Sequence, residues 1–374
     1  MKELDKQHQT ELQISLSAMR DNLNTFISFL KPETEIMLML KAAAYGHGST
    51  ELAKLYEKEE RISYYAVAYA DEGVRLREAG IEKNILVLNP SSNAFEDIIH
   101  HCLEPEIHNL VLLNEFVEFL KSKKHGMAPY PIHLKFNTGM NRLGFDEGEI
   151  GQLKEILSNN ELIRVRSIMT HLSSTNLPEE DEYSQAQLDA FSRIIDATKT
   201  LHQSDTFFHC LNSNGIFRFP NHQYDLVRLG IGFYGTSTVA ELSEKIKPSS
   251  RFVSRVCQIR KVEKGDSISY SRSGRAPDDT RIATLSLGYA DGFNRFSGNG
   301  RWQVEINGQL FPTIGNICMD LSMVDIGDAD IKVGDEVVIF GGKKSIYEYA
   351  DLLGTITYEV MCAIGPRVKK VVVD

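Results

Sequence analysis

The chain has 374 residues, 42% of them hydrophobic and 25% charged, enough for one large core and a smaller one without disulfides or structural metal. A formal charge of −10 argues against a general affinity for nucleic acid or an anionic membrane. The five cysteines, Cys102, Cys210, Cys257, Cys318 and Cys362, contain no CxxC pair, which disfavours a zinc site or disulfide framework and fits a reducing compartment.

The N-terminal MKELDKQHQTELQ lacks the apolar stretch of a secretion signal, and no run approaches the ~18 apolar residues of a membrane span. A cytoplasmic location is therefore expected. From residue 36 to 235 short apolar runs alternate with longer amphipathic ones. IMLML, YYAVAYA, NILVLN, EPEIHN, YPIHLKFN, VRSIMTHL, TFFHCLN and DLVRLG read as strands. ELAKLYEKEE, DEGVRLREAG, AFEDIIHHC, LNEFVEFLKSKK, EIGQLKEILSN and YSQAQLDAFSRIIDATKTLH read as helices between them. Eight such units predict an α/β fold, a closed parallel (β/α)8 TIM barrel over residues 17–240, with a doubly wound open sheet as the competing architecture. The fourth strand, around Leu103–His108, is placed by the alternation rather than by its own composition. Beyond residue 250 strand-like pieces such as RFVSRVCQIRKVEKGDSISY, TRIATLSLGY and DEVVIFGG are separated by glycine-containing turns. They predict a mainly antiparallel β domain made of 1–16 plus 241–374, with one short helix around Ser345–Leu353.

The first barrel strand ends in an anomaly. In EIMLMLKAAAYGHG (35–48) a lysine, Lys41, closes an apolar run that reads as a strand buried on both faces. Barrel strands carry their catalytic groups at C-terminal ends, and a partly desolvated lysine there is a nucleophile toward aldehydes. The alternative is a lysine that merely snorkels to solvent. Asn212-Ser213-Asn214-Gly215 follows the seventh strand, and Arg228-Leu229-Gly230-Ile231-Gly232 ends the eighth. Loops in those two places commonly bind phosphate. A phosphorylated aldehyde held opposite a lysine describes pyridoxal 5'-phosphate.

The stretch KAAAYGHG resembles the cofactor signature of alanine racemases, K-A-[D/N]-A-Y-G-H-G. Further matches run in the family's order: LKFNTGMNRLGF, MTHLSS, HCLNSNG, VRLGIGFYG, ISYSRSG, LGYADGFNR, GNICMD and TYEV. The resemblance implies a pyridoxal-phosphate isomerase that interconverts L- and D-alanine and supplies D-alanine for bacterial peptidoglycan. It implies that Lys41 binds the cofactor as a Schiff base and then serves as one of two bases, and that Tyr270 is the other. Two groups flanking a planar carbanion can exchange protons on opposite faces without either one moving around it. His171 matches the histidine that hydrogen-bonds this tyrosine, and Arg228 the arginine at the pyridine nitrogen. Tyr45, Ser213, Gly230, Ile231 and Tyr358 match the phosphate contacts. Arg142 matches an arginine near the phenolic oxygen and substrate carboxylate. Lys135 matches a lysine often carbamylated; an ordinary lysine paired with a carboxylate is the alternative. Met319 matches a substrate-carboxylate contact, and Tyr289 and Asp320 match residues of the entry corridor.

In the family, Tyr270 and Met319 serve the cofactor of the other subunit, which implies a homodimer with shared active sites. Ala43, Ser271 and Asn316 depart from the usual Asp or Asn, Gly and Arg. His47 has no second histidine at ligand spacing, and no metal is expected. Three other readings compete: a racemase of broader substrate range, a cofactor-binding module without turnover, and a cofactor-free Schiff-base aldolase. A second base at Tyr270 disfavours the binding module, and Arg228 disfavours the aldolase.

Overall fold

The computed structural model describes residues 9–123 and 129–374. The first eight residues of the segment 1–16, and Lys124 at the end of LNEFVEFLKSKK, lie outside the described residues. Among the described residues two compact units are present: residues 21–44 with 49–123 and 129–247, and residues 9–20 and 45–48 with 248–374.

Strand β1 (Glu11–Ser15) belongs to the second unit. The first unit is the (β/α)8 barrel. Its strands are β2 (Glu35–Met39), β3 (Ile62–Val67), β4 (Asn84–Val87), β5 (Glu104–Ile107), β6 (Tyr130–Lys135), β7 (Ile163–Met169), β8 (Phe207–His209) and β9 (Leu226–Leu229). All pair in parallel, in the order β8-β7-β6-β5-β4-β3-β2-β9. The apolar run of β2 is buried on both faces as its composition demands, with Ile36, Met37 and Leu38 fully enclosed. Each such side chain contributes roughly 1.5–3 kcal/mol on leaving water. No ladder joins the ends β8 and β9, but the Arg228 N–H donates to the Leu211 carbonyl at 3.0 Å and draws the seam together.

The fourth strand forms where the alternation placed it, and it explains its own weak signal. Glu104 and Glu106 alternate with Pro105 and Ile107, and all four are buried. Two carboxylates in four residues hide a strand from any reading based on hydrophobicity.

In the second unit, β10 (Ser250–Val262) is the longest strand. It pairs antiparallel with β1, with β13 (Thr280–Leu285) and with β17 (Glu336–Phe340), and a bulge between Val256 and Gln258 bends it between partners. Strands β14 (Gln303–Ile306), β15 (Gln309–Pro312) and β16 (Ser322–Asp325) extend this sheet antiparallel, and β18 (Lys369–Val373) joins β1 in parallel. A small hairpin, β11 (Ser267–Ile268) with β12 (Gly274–Arg275), projects the segment that contains Tyr270. The helix Ile346–Leu353 starts on a capping box, in which the Ser345 hydroxyl accepts from the Glu348 N–H and the Glu348 carboxylate accepts from the Ser345 N–H. Trp302 donates its indole N–H to the Ile339 carbonyl at 2.9 Å inside this unit's core.

Candidate active site

The chain directly after β2 takes an unusual path. Ala42, Ala43 and Ala44 have φ of 52°, 52° and 56°, and Tyr45 follows at 52°. Four successive L-residues thus form a left-handed turn, which costs roughly 1–2 kcal/mol per residue because Cβ crowds the next carbonyl oxygen. The turn starts at the strand-end lysine. It is pinned by the Ala44 N–H donating to the Leu40 carbonyl and the Ala42 N–H donating to Glu72 at 2.7 Å. The other oxygen of Glu72 accepts from the Ala68 N–H. Ala43 sits at the position where Asp or Asn is usual, side chains that tolerate left-handed geometry better. Ala43→Asn should therefore stabilise the protein by about 1 kcal/mol in urea denaturation; an unchanged midpoint would show that the turn carries no strain there.

Around the rim of the barrel, Lys41, Lys135, Arg142, His171, Ser213 and Arg228 occupy or follow the C-terminal ends of their strands. Burial comes first, followed by the positive charges of Arg228, Arg142, Lys135 and Lys41, in holding His171 well below the usual histidine range. Those four cations therefore all act on one neutral imidazole. Arg228 is 3% exposed. Its Nη2 donates to the Thr170 and Cys210 carbonyls and to His171 Nδ1 at 3.2 Å, and its Nη1 donates to the carbonyl and Nδ1 of His209. Among the described residues these bonds all use Nη1 and Nη2, which leaves Nε–H for a ligand. Burial pushes the guanidinium down to about 10, so it stays charged at neutral pH. Because Arg228 fills His171 Nδ1 from the donor side, the proton of the neutral ring sits on Nε2.

Ser213 forms the floor of the loop after β9. Its hydroxyl oxygen accepts from the Gly230 and Gly232 N–H groups at 3.0 and 3.2 Å, and its own proton is left to donate to an anion.

Lys135 is buried and pairs with Glu106, which is fully buried, at 3.1 Å. Burial lowers the lysine and raises the carboxyl, and each partner opposes the shift of the other. A buried carboxyl group thus already stands beside Lys135. Sequence reasoning missed Glu106, as it did Glu104, His133 and His209. The signal was present as carboxylates two apart in a barrel strand, with His133 and Lys135 at the same spacing in the next.

The second unit carries the remaining residues. Tyr45 and Tyr358 lie with ring centroids 6.1 Å apart. Burial raises both phenols, Tyr358 to about 12 and Tyr45 further, so both stay neutral hydrogen-bond donors. Tyr270 is 72% exposed at the tip of the β11–β12 hairpin. Ser269, Ser271 and Arg272 around it have φ of 70°, 57° and 52°. Asn316 anchors this tip: its side chain donates to the Tyr270 carbonyl at 3.2 Å, and its carbonyl accepts from the Ser269 hydroxyl at 2.8 Å. Ser271 and Asn316, two of the three departures, thus meet at one structural feature. Tyr270, Met319 and Asp320 line one surface groove of ≈520 Å³. The Met319 loop is held by backbone bonds from Tyr289 and Ala290, and a Cβ at Gly288 would lie 2.2 Å from the Met319 carbonyl oxygen. Asp320 pairs with Arg367 at 2.7 Å. Tyr289 is 42% exposed. Among the described residues no group could hold a metal ion and no helix is long and apolar enough to cross a membrane.

A parallel barrel with a lysine after its first strand, a buried donor-only arginine in its last and a loop of hydroxyl and backbone N–H groups behind it defines a class of α/β-barrel proteins with a cationic site at the strand ends. Comparison with known proteins narrows the class. Residues 14–238 match the model of the alanine racemase N-terminal domain, and 249–372 that of the C-terminal domain. The chain is 36% identical to the alanine racemase of Clostridium novyi, over 96% of this chain and 94% of that one. It is 34% identical to that of Desulforamulus reducens, over 96% and 97%. Among solved structures, alanine racemase of Clostridium difficile 630 superposes with a TM-score of 0.89 at 35% identity, covering 96% of this chain and 94% of that one. The Bacillus anthracis alanine racemase with bound L-Ala-P gives 0.89 at 28%, covering 98% and 95%. The chain belongs to the alanine racemase family, and it is a racemase enzyme.

Proposed function

We propose that the protein interconverts L-alanine and D-alanine with pyridoxal 5'-phosphate, by proton exchange between Lys41 and Tyr270, as a homodimer in the bacterial cytoplasm that supplies D-alanine for peptidoglycan. The observation that carries this reading is the concentration of Lys41, Lys135, Arg142 and Arg228 around a neutral His171. That donor set suits an anionic phosphorylated ring and a carboxylate substrate, and the free Nε–H of Arg228 suits an unprotonated ring nitrogen.

When bound, the cofactor supplies an electron sink that acidifies the substrate's Cα–H. Ser213, Tyr45, Tyr358 and the backbone at Gly230 and Ile231 would hold its phosphate, and Lys41 its aldehyde carbon. Arg228 can only donate, so it would hold the ring nitrogen by a hydrogen bond without giving it a proton. Lys41 takes or returns the proton on one face. Tyr270, lent by the partner subunit, does so on the other. His171, with its proton on Nε2, donates to the phenolic oxygen and stabilises its anion, and Arg228 fixes the orientation of His171 in turn. Arg142 and the Met319 backbone meet the substrate carboxylate; Tyr289 and Asp320 stand at the entrance. Lys135 is read as an ammonium paired with Glu106, because a carbamate there would set a second anion against a buried carboxylate.

The test is direct. In heavy water each single enantiomer of alanine should gain deuterium at Cα while its mirror form accumulates. Borohydride treatment should leave a phosphopyridoxyl group on Lys41 in peptide maps. A chain that exchanges no label after loading with pyridoxal phosphate defeats the reading.

A further inference from the structure

Arg228 is one end of a buried chain of hydrogen bonds that crosses the barrel interior. Its Nη1 lies 2.6 Å from His209 Nδ1. His209 Nε2 lies 3.1 Å from Ser167 Oγ, which lies 2.7 Å from His133 Nδ1. His133 Nε2 is 2.7 Å from Glu104 Oε2. The same carboxylate oxygen accepts from the Tyr64 hydroxyl at 3.0 Å, and the Tyr64 oxygen accepts from Arg166 Nε at 3.0 Å. His133, Ser167 and His209 are fully buried, and Glu104 is 7% exposed.

The two ends of this chain determine its direction. A guanidinium only donates and a carboxylate only accepts, whereas a neutral imidazole or a hydroxyl does one of each. With both rings neutral, one assignment satisfies all four links. Arg228 donates to His209 Nδ1, His209 Nε2–H to Ser167, the Ser167 hydroxyl to His133 Nδ1, and His133 Nε2–H to Glu104. Reversing any link sets two donors or two acceptors face to face in a dry core, at a cost of about 1–3 kcal/mol. Burial works against the Glu104 carboxylate, but the hydrogen bond and attraction of His133, the Tyr64 hydroxyl and the Arg166 charge outweigh it and hold Glu104 below the usual carboxylate range. Burial and the Arg228 charge hold His209 well below the histidine range, as a neutral ring.

We propose that Glu104 is a positioning residue for Arg228. Acting through His133, Ser167 and His209, it locks His209 as the Nε2–H tautomer, so that Nδ1 accepts from Arg228 and fixes the guanidinium that meets the cofactor. The proposal rests on the assignment of Arg228 to the cofactor's ring nitrogen. The tautomer lock itself is a property of the chain alone and can be measured separately.

The experiment uses the full-length holoenzyme with 15N-labelled histidine. Wild-type His209 should show an unprotonated Nδ1 and a protonated Nε2 at neutral pH. Ser167→Ala removes the acceptor of His209 Nε2–H, so the ring should turn partly away from Arg228, with a mixed tautomer population and a kcat about tenfold lower, and with KM for alanine within about twofold. Ser167→Thr, which retains the hydroxyl, should restore both signals. Glu104→Gln keeps an acceptor oxygen but can also present its amide to His133, and should show a partial Nδ1–H population; it is read in the same way if Ser167→Ala does not fold. A protonated Nδ1 in the wild type overturns the proposal, as do Ser167→Ala or Glu104→Gln proteins with wild-type tautomer and kcat. A wild-type chain that fails to racemise alanine defeats the functional reading instead and leaves the tautomer result standing.

Discussion

Tyr270→Phe should lower alanine racemisation by about 10²–10⁴-fold while the visible absorption of the bound cofactor persists. The phenol is the only group removed, and it lies on a different unit from the lysine. Its 72% exposure in the single chain suits a side chain offered to a second copy. That arrangement yields a stricter test than the variant alone. Lys41→Ala dimers should also be inactive, since they lack the amine. Mixing and re-equilibrating the two inactive proteins in equal amounts should recover about a quarter of wild-type activity, because half of the dimers are hybrids and each hybrid has one intact site. No recovery from demonstrated hybrids would place both bases in one chain.

The second large effect concerns stability. Glu106→Leu should cost about 3–5 kcal/mol in urea denaturation, because it strands the Lys135 ammonium in the barrel interior. The double variant Glu106→Leu with Lys135→Met should regain most of that loss, since a packed apolar pair replaces an ion pair at little net cost. A single variant as stable as wild type would show that the contact at 3.1 Å is not a buried ion pair. The same pair predicts that wild-type protein equilibrated with 13C-bicarbonate shows no carbamate carbon by NMR, because Glu106 already supplies the negative charge.

Much of this architecture could be read from local pattern, and its blind spots share a cause. The β2 run and its terminal lysine were legible because hydrophobic periodicity and one charged exception are both local signals. The β5 segment was nearly lost: Glu104 and Glu106 are tolerable inside a barrel only because His133 and Lys135 arrive from the next strand, a pairing that depends on register. The site residues matched motifs one at a time, whereas the shift of His171 needs burial together with four cations from the ends of three strands. His209 lay inside a recognised motif, yet its role emerges only when Ser167 and Arg228 are placed on its two nitrogens. Ser271 and Asn316 looked like separate oddities until the hairpin tip brought them together.

The left-handed turn after β2 has a consequence for chemical synthesis. Inverting the stereocentre of Ala42, Ala43 or Ala44 moves Cβ away from the carbonyl it crowds, so that a D-alanine would sit there at ease. A semisynthetic chain with D-alanine at residue 43 should unfold at a higher temperature than its all-L counterpart, the reverse of what such an inversion does in any ordinary helix. The backbone that leads away from Lys41 is itself written in mirror-image geometry.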